Sequence, residues 1–374
     1  MKKHLVFVGG GHAHLTALLQ LKDYIDCGHQ VTLISSSAYH YYSGMGPGML
    51  SGIYRPQEIR FHVKKLAEDR GASFVEDRVV RINPSERTVF LSSGGSLKYD
   101  VVSFNTGSEV VSEVQNKPGE NIFAVKPIIN LLRAKQYILQ NVEQRVLRVV
   151  VIGGGPAGVE CAGNIWRLIQ DHKGRAEIYF VAGTKLLKNL PERVCSLVRS
   201  SFQKRDIRII EGLHMMSLKN NSIVFDDASE MPYDVALVAT GVRPASLFKD
   251  SGLAIGKDGG MLVNPYLQSV DCPEIFGGGD CISLEGQPLA KVGVYAVRQN
   301  PVLHRNLFAA LEGGEFMTFT PQKQYLLIFN LGNGKGVFWR KHVVLDGRPA
   351  FFLKDYIDRK FMRKFQVSGE LLEE

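Results

Sequence analysis

The chain has 374 residues, 45% of them hydrophobic and 22% charged, with a formal net charge of +8; that is enough for about two or three domains of roughly 100–200 residues each, with a positive surplus that favours anionic surfaces. No uninterrupted apolar run approaches the ~20 residues that cross a bilayer, and without an aromatic–basic RNA motif or a helix-turn-helix signature nucleic acid is set aside as a partner. Five scattered cysteines, Cys27, Cys161, Cys195, Cys272 and Cys281, with no Cys-x-x-Cys, exclude zinc spacing and a secreted disulfide framework and fit a reducing cytoplasm.

Met1-Lys2-Lys3 leads straight into the apolar run His4 to Val8, with no small-residue cleavage site, so no secretory leader is expected. The run meets Gly9-Gly10-Gly11-His12-Ala13-His14; Leu15, Leu18, Leu19 and Leu21 follow at helical spacing, and Val31 to Ser35 forms a second apolar run. This reads as strand, tight turn, helix, strand. Gly9 and Gly11 suit the turn and the close approach of a pyrophosphate to a helix N-terminus. The third position of the fingerprint, which packs helix on strand, is occupied by His14, a bulky residue that must point aside or hydrogen-bond locally. Where the second strand ends, an acid for ribose hydroxyls is replaced by Ser35-Ser36.

Tyr39 to Met49 is too rich in glycine for a regular element; it is either a surface loop or a loop laid against a flat cofactor. Ser73 to Glu76, Val79 to Ile82 and Thr88 to Leu91 predict a small antiparallel insertion, closed by the buried strand Tyr99 to Gly107. A connection over Gly119 to Pro127 and a helix over Ile128 to Val142 come next. The opening unit then recurs at Arg148 to Glu160, with Gly153, Gly155 and Gly158 intact. Its own insertion falls around Ile207 to Phe225, and Tyr233 to Gly241 repeats the Tyr-Asp, apolar strand, Thr-Gly form of Tyr99 to Gly107. A duplicated nucleotide-binding domain is the simplest explanation. Glu274 to Asp280 is a further strand ending in glycines and an acid. Gly293 to Leu311 reads as a helix that Pro301 must break or kink. Strands over Gln324 to Phe329 and Gly336 to Val344 precede a basic amphipathic helix: Leu353, Tyr356, Ile357, Phe361 and Phe365 share one face, and Lys354, Arg359, Lys360, Arg363 and Lys364 fall mostly elsewhere. Such a helix lies in a lipid interface or packs on protein.

Four motifs together, the Gly9 fingerprint, Asn105-Thr106-Gly107, the Gly153 fingerprint and Phe276 to Asp280, make residues 1 to about 310 resemble the two-dinucleotide-binding-domain flavoproteins. That group contains glutathione reductase, type II NADH:quinone dehydrogenases and sulfide:quinone oxidoreductases. Gly-Gly-Gly-His-Ala-His, Tyr-Ser-Gly-Met-x-Pro-Gly, Val-Tyr-Ala-Val-Arg-Gln and Lys-Asp-Tyr-Ile-Asp-Arg-Lys-Phe-Met look like the NADH-dehydrogenase-like branch sometimes fused to selenophosphate synthetase. The resemblance implies an α/β fold with two Rossmann-like domains: an FAD-binding domain over 1–115 and 245–310, an NAD(P)H-binding domain over 116–244, and a small α+β region over 311–374. It places Gly9, Gly11, His12, Ser35, Val79, Thr106, Gly107, Asp280, Lys291, Gly293 and Val294 around FAD. Gly153, Gly155, Pro156, Ala157, Gly158 and Gly241 fall around NAD(P)H, Glu160 near the nicotinamide, and Lys291 at the pyrimidine end of the flavin. Read locally, Asp280 is also a helix N-cap, Glu160 a first-turn acid and Lys291 a solvated lysine.

The region Tyr39 to Met49 lacks the Cys-x4-Cys of glutathione-reductase-like enzymes, and no cysteine follows Cys281. The implied activity is therefore hydride transfer from NAD(P)H to flavin and direct electron transfer to an acceptor, a quinone. The alternatives are a flavin-bearing binding or regulatory protein of a selenium or sulfur pathway, and a sulfide:quinone-oxidoreductase-like enzyme. Ala182-Gly183 offers neither acid nor arginine, although Lys185 is close, so NADH and NADPH are not separated. A cytoplasmic protein, peripheral on the inner membrane face through anionic lipid, and a homodimer complete the expectations.

Overall fold

The computed structural model describes residues 2–110, 120–322 and 324–373. Two five-stranded parallel sheets carry it. The first has the order Ile275–Gly277, Val101–Phe104, His4–Val8, Gln30–Ser35, Ser73–Glu76. The second has the order Ile122–Ala124, Val235–Val238, Leu147–Ile152, Ala176–Val181, Ile207–Ile210. Both sheets are covered on both faces, which is why their central strands read as unbroken apolar runs; Leu5, Val6 and Phe7 are fully buried, as are Val149, Val150 and Val151.

The repeated Tyr-Asp has a shared physical role. The Asp100 carboxylate accepts the His4 N–H at 2.7 Å while Asp100 N–H donates to the His4 carbonyl at 2.9 Å. The Asp234 carboxylate accepts the Arg148 N–H at 2.6 Å, and Asp234 N–H donates to the Arg148 carbonyl at 2.8 Å. Each aspartate thus pins the start of the strand that leads to the glycines, at its first residue in one case and its second in the other, and fixes the register of the returning strand.

Several expectations need correction. Ser73–Glu76 and Ile207–Ile210 are not part of the antiparallel insertions: each is the outer parallel strand of a main sheet. The insertions are the three-stranded sheets Val79–Asn83, Thr88–Leu91, Ser96–Lys98 and Met215–Lys219, Ser222–Phe225, Glu230–Pro232. Tyr39 to Met49 is not irregular. It holds the strand Tyr39–Tyr41, a 3-10 turn over Ser43–Met45 and the helix Gly46–Ser51, all six of whose residues are buried. The glycines serve packing there: a Cβ on Gly48 would lie 2.5 Å from the Tyr54 ring. The helix Gly293–Glu312 runs through Pro301 without interruption, and the first fingerprint helix is divided at Gln20 into Leu15–Leu19 and Leu21–Asp26. The expected division between residues 115 and 116 lies outside the described residues.

The C-terminal region is the three-stranded sheet Leu327–Asn330, Gly336–Arg340, Val343–Gly347 and the helix Arg348–Phe365. The expected apolar face of this helix is divided: Phe361 and Phe365 pack inward against Tyr42 and Phe61, while its first half turns its apolar side chains outward. Its buried positions are Ala350, Lys354, Asp358, Met362 and Phe365, whereas Phe352 is 64% and Tyr356 58% exposed, with Leu353 and Ile357 exposed beside them.

Candidate active site

The two glycine turns close in the same way. Gly9 has φ +90° and Gly153 φ +132°; a Cβ would lie 2.4 Å from the Asn105 carbonyl oxygen at the first and 2.2 Å from that of Ala239 at the second. Only glycine fits at either place. Asn105 ties the first turn to the later glycine run: its Oδ1 accepts the Ala13 N–H at 3.0 Å and its Nδ2 donates to the Gly278 carbonyl at 2.7 Å. His14 resolves its misfit by bonding locally, with Nδ1 2.6 Å from the Gly9 carbonyl and Nε2 2.8 Å from the Ser103 hydroxyl. Burial pushes its pKa down to about 4. At the second turn Gly155 N-caps the 16-residue helix Pro156–Asp171, and nothing stands within 4 Å of where its Cβ would be. Pro156 and Ala157 are exposed. Free N–H groups at such an open helix end can hold a pyrophosphate, so the residues present fit a dinucleotide.

The structure joins Asp280 to two residues that sequence reasoning passed over. Asp280 Oδ2 accepts from Lys126 Nζ and from the Ser108 hydroxyl, each at 2.7 Å, and Lys126 also donates to Ser108 at 2.8 Å. The Cys281 thiol donates to the Phe104 and Gly278 carbonyls at 3.5 and 3.3 Å beside Thr106, and Gly107 has φ +75°. Lys291 is not the solvated lysine of the local reading. Its ammonium donates to the Ile282 carbonyl at 2.6 Å and pairs with Asp258 at 2.7 Å, with 10% of the side chain exposed. It is neither a solvated lysine nor a free cation. Gly293 and Val294 open the helix beyond it, with Gly293 facing Ser43. Ser35 ends its strand beside Glu76, its carbonyl accepting from Asp77 at 3.0 Å, and Val79 pairs with Leu91 in the first insertion. Gly241 follows the strand Val235–Val238 with open space where a Cβ would stand.

Glu160 stands in the second turn of the helix Pro156–Asp171, with 14% of its side chain exposed. Burial raises its pKa to about 7, against the pull of Lys354 and of the Asn330 N–H, which donates to Oε1 at 2.7 Å. Lys354 Nζ lies 3.9 Å from the same carboxylate, donates to Asp358 at 2.7 Å and to the Gly44 carbonyl at 2.6 Å. Burial opposes the ammonium, yet Asp358 and Glu160 hold its pKa above the usual lysine range. Tyr42 donates to Asp358 at 3.0 Å. One polar network therefore spans the second fingerprint helix, the segment Tyr42 to Gly44 and the C-terminal helix. Against it rest two imidazoles: His12 Nδ1 is 3.2 Å from His40 Nε2, and the His12 ring packs against Tyr42 and Phe361. Burial and the Lys126 charge push the His12 pKa down to about 4, and burial with His12 and Lys126 pushes His40 well below the usual range.

The family model described as pyridine nucleotide-disulphide oxidoreductase matches residues 3–300. The chain belongs to that family. Within it, the external alternative NAD(P)H-ubiquinone oxidoreductase B1 of Solanum tuberosum mitochondria is 24% identical over 328 residues, 76% of this chain and 56% of that protein. The chain thus spans little more than half the length of that relative. The type II NADH:quinone oxidoreductase of Staphylococcus saprophyticus is 22% identical over 98% of this chain and 96% of its own. The structure of NDH2 from Plasmodium falciparum with NADH superposes with a TM-score of 0.82 at 14% identity, covering 99% of this chain and 98% of that one, a likeness of fold.

The disulphide in the family's description has no counterpart here. All five cysteines are free, and Cys161, Cys195 and Cys281 are buried. Cys161 is 1% exposed, and burial raises its thiol far above the thiolate range. Sequence reasoning missed Lys126, Ser108, Lys354 and Asp358. Only the Lys354/Asp358 spacing of four, facing a buried acid, left a trace in the pattern.

Proposed function

We propose that the protein is an FAD-dependent NAD(P)H dehydrogenase that passes electrons to a quinone-type acceptor without a redox disulfide. The observation that carries this reading is the convergence of the second glycine cradle, through Glu160, on the cysteine-free segment Tyr42 to Gly44. FAD, when bound, supplies the hydride-accepting chemistry. The Gly153–Gly158 turn receives the dinucleotide pyrophosphate, and Glu160, one turn further on, positions the nicotinamide end. With a pKa of about 7, Glu160 can hold or release a proton near neutrality. The Gly9–Asn105–Gly278 cradle and Asp280 receive FAD, and Ile275–Gly277, by joining the first sheet, supports a discontinuous FAD domain of 1–115 and 245–310. The NAD(P)H domain is then 116–244 and the C-terminal region 311–374. Gly293 and Val294, rather than Lys291, present a helix N-terminus to the flavin.

In anaerobic stopped flow, NAD(P)H is expected to bleach the flavin rapidly and a short-chain quinone to restore it. A variant with all five cysteines replaced by alanine or serine should do the same within a few-fold. Slow bleaching would favour a binding or regulatory protein; collapse of turnover in the folded, flavin-loaded variant would favour sulfide chemistry. Asp280→Ala removes a charged hydrogen bond, worth about 1.5–3 kcal/mol, so it should weaken FAD binding about ten- to hundred-fold and yield largely colourless protein. A variant that purifies fully yellow and equally stable would remove Asp280 from the site.

The same reading places the protein on an anionic membrane surface, where quinones reside. Among the described residues no helix is long and apolar enough to cross a membrane. The outward face of the C-terminal helix, however, offers Phe352, Leu353, Tyr356 and Ile357 exposed, followed by exposed Lys360, Arg363 and Lys364. Apolar side chains beside bases suit the acyl boundary and its headgroups. Truncation at Leu353 would strip the buried Met362 and Phe365 as well, so the cleaner variant is Phe352→Ser with Tyr356→Ser and Ile357→Ser. It should retain FAD and reduce soluble quinone while losing co-sedimentation with anionic vesicles at low salt. Wild-type protein that ignores such vesicles and elutes as a dimer, with the variant monomeric, would assign this face to a second copy instead.

A further inference from the structure

In folds of this kind the adenosine ribose meets the carboxyl end of the second strand of the nucleotide unit. A carboxylate there takes the ribose hydroxyls of NADH, and cations accommodate the 2′-phosphate of NADPH. The strand here is Ala176–Val181. The chain leaving it folds back on the second glycine turn: a Cβ on Gly154 would lie 2.3 Å from the Ala182 carbonyl oxygen, and Leu187 N–H donates to the Gly154 carbonyl at 2.8 Å. Residues 183–186 are thereby held beside the dinucleotide cradle.

No carboxylate is offered by that stretch, and the acid on the neighbouring strand end is engaged. Glu211 accepts the Leu186 N–H at 2.8 Å and the Arg199 guanidinium at 3.0 and 3.1 Å. The corner itself presents a hydroxyl, an imidazole and an ammonium, the last two each paired with an acid. Gly183, at φ +67°, turns the chain and accepts the Gly212 N–H at 2.6 Å. This brings the Thr184 hydroxyl to 3.1 Å from His214 Nε2, while Asp226 fixes the ring from 2.9 Å at Nδ1 and accepts the His214 N–H at 3.1 Å. Lys185 follows Thr184 and pairs with Glu192 at 2.8 Å, with 49% and 66% of the two side chains exposed. An ion pair so exposed contributes at most about 1 kcal/mol, so a phosphate dianion can displace Glu192 from the ammonium.

We propose that this corner receives the 2′-phosphate of NADPH, with Lys185 supplying charge and Thr184 and His214 supplying hydrogen bonds. The inference rests on the reading of Gly153–Gly158 as a dinucleotide cradle. The carboxylates around the corner, Glu192, Glu211 and Asp226, are each already paired, with Lys185, Arg199 and His214, whereas the 2′-phosphate finds a cation and two hydrogen-bonding side chains.

Oxidised holoprotein titrated calorimetrically with NADP+ and with NAD+ tests it, because the two differ only in the 2′-phosphate and neither delivers hydride. NADP+ is expected to bind at least about ten-fold more tightly, the worth of a single charge-assisted hydrogen bond. Lys185→Glu should abolish the difference and Lys185→Arg should keep it, with NAD+ affinity within about two-fold throughout. Equal affinities, tighter NAD+ binding, or a preference that survives Lys185→Glu would overturn the assignment and leave the dehydrogenase reading standing. Failure of both dinucleotides to bind would overturn the dehydrogenase reading and this inference with it.

Discussion

Lys354→Met is expected to lower folding stability by about 3–5 kcal/mol, the usual cost of breaking a buried ion pair from one side. Lys354 is only 9% exposed, and methionine nearly matches its length, so the loss is electrostatic rather than a cavity. Asp358 would retain the Tyr42 hydroxyl, and Glu160 the Asn330 N–H, without the cation that serves both. The pKa of Glu160, already about 7 through burial, would rise further. Replacing all three charges, Lys354→Met with Asp358→Leu and Glu160→Gln, should recover most of the stability while losing flavin reduction, because no charge is then left unpaired. Urea midpoints of the single and triple variants, read by tryptophan fluorescence, decide the matter. A single variant within about 1 kcal/mol of wild type would mean that water reaches the network, as for an exposed pair.

Acidification is expected to destabilise the fold through buried neutral histidines. His12 and His14 fall from the ordinary 6.5 to about 4, chiefly through burial. Above pH 6.5 both folded and unfolded states hold them neutral. Between pH 6.5 and 4 the unfolded chain takes up protons that the folded chain refuses, so stability falls with falling pH, by about 3 kcal/mol for each histidine at 1.36 kcal/mol per unit. Glu160 works the other way. Its folded pKa of about 7 lies above the ordinary 4.5, so its contribution is complete below pH 4.5 and is lost as pH rises through 7. Two histidines outweigh one glutamate, and the net change on acidification is a loss. Thermal midpoints across pH 7 to 4 should therefore fall more steeply in Glu160→Gln than in wild type, and less steeply in His14→Asn. Parallel profiles for all three proteins would show that these groups do not titrate as their burial dictates.

Much of the molecule was legible from sequence because it is written in local terms. A strand buried on both faces needs a continuous apolar run, a turn against a carbonyl oxygen needs glycine, and a pinned strand start needs its aspartate. Residues 4 to 14 and 147 to 158 state the strand and the turn within short windows, Tyr99-Asp100 and Tyr233-Asp234 supply the aspartates, and the second copy repeats the first. Where a segment's partner lay far away, the pattern was ambiguous. Ser73–Glu76 reads equally well as part of a hairpin or as a parallel edge strand, because four residues carry no sign of which neighbour they pair with; its place beside Gln30–Ser35 settles it.

The site depended most on tertiary structure. Lys291 read locally as a solvated lysine, but Asp258, 33 residues earlier, holds its ammonium. The C-terminal helix shows why periodicity alone could not suffice. A helical pattern sorts apolar from polar residues, yet it turns the apolar face inward only if what it meets is apolar. Here the helix meets Glu160, the Gly44 carbonyl and the Tyr42 hydroxyl, polar groups far away in sequence that it largely covers. An unpaired polar group in such a place costs more than an exposed phenylalanine, so Lys354 and Asp358 turn inward and Phe352 and Tyr356 face out.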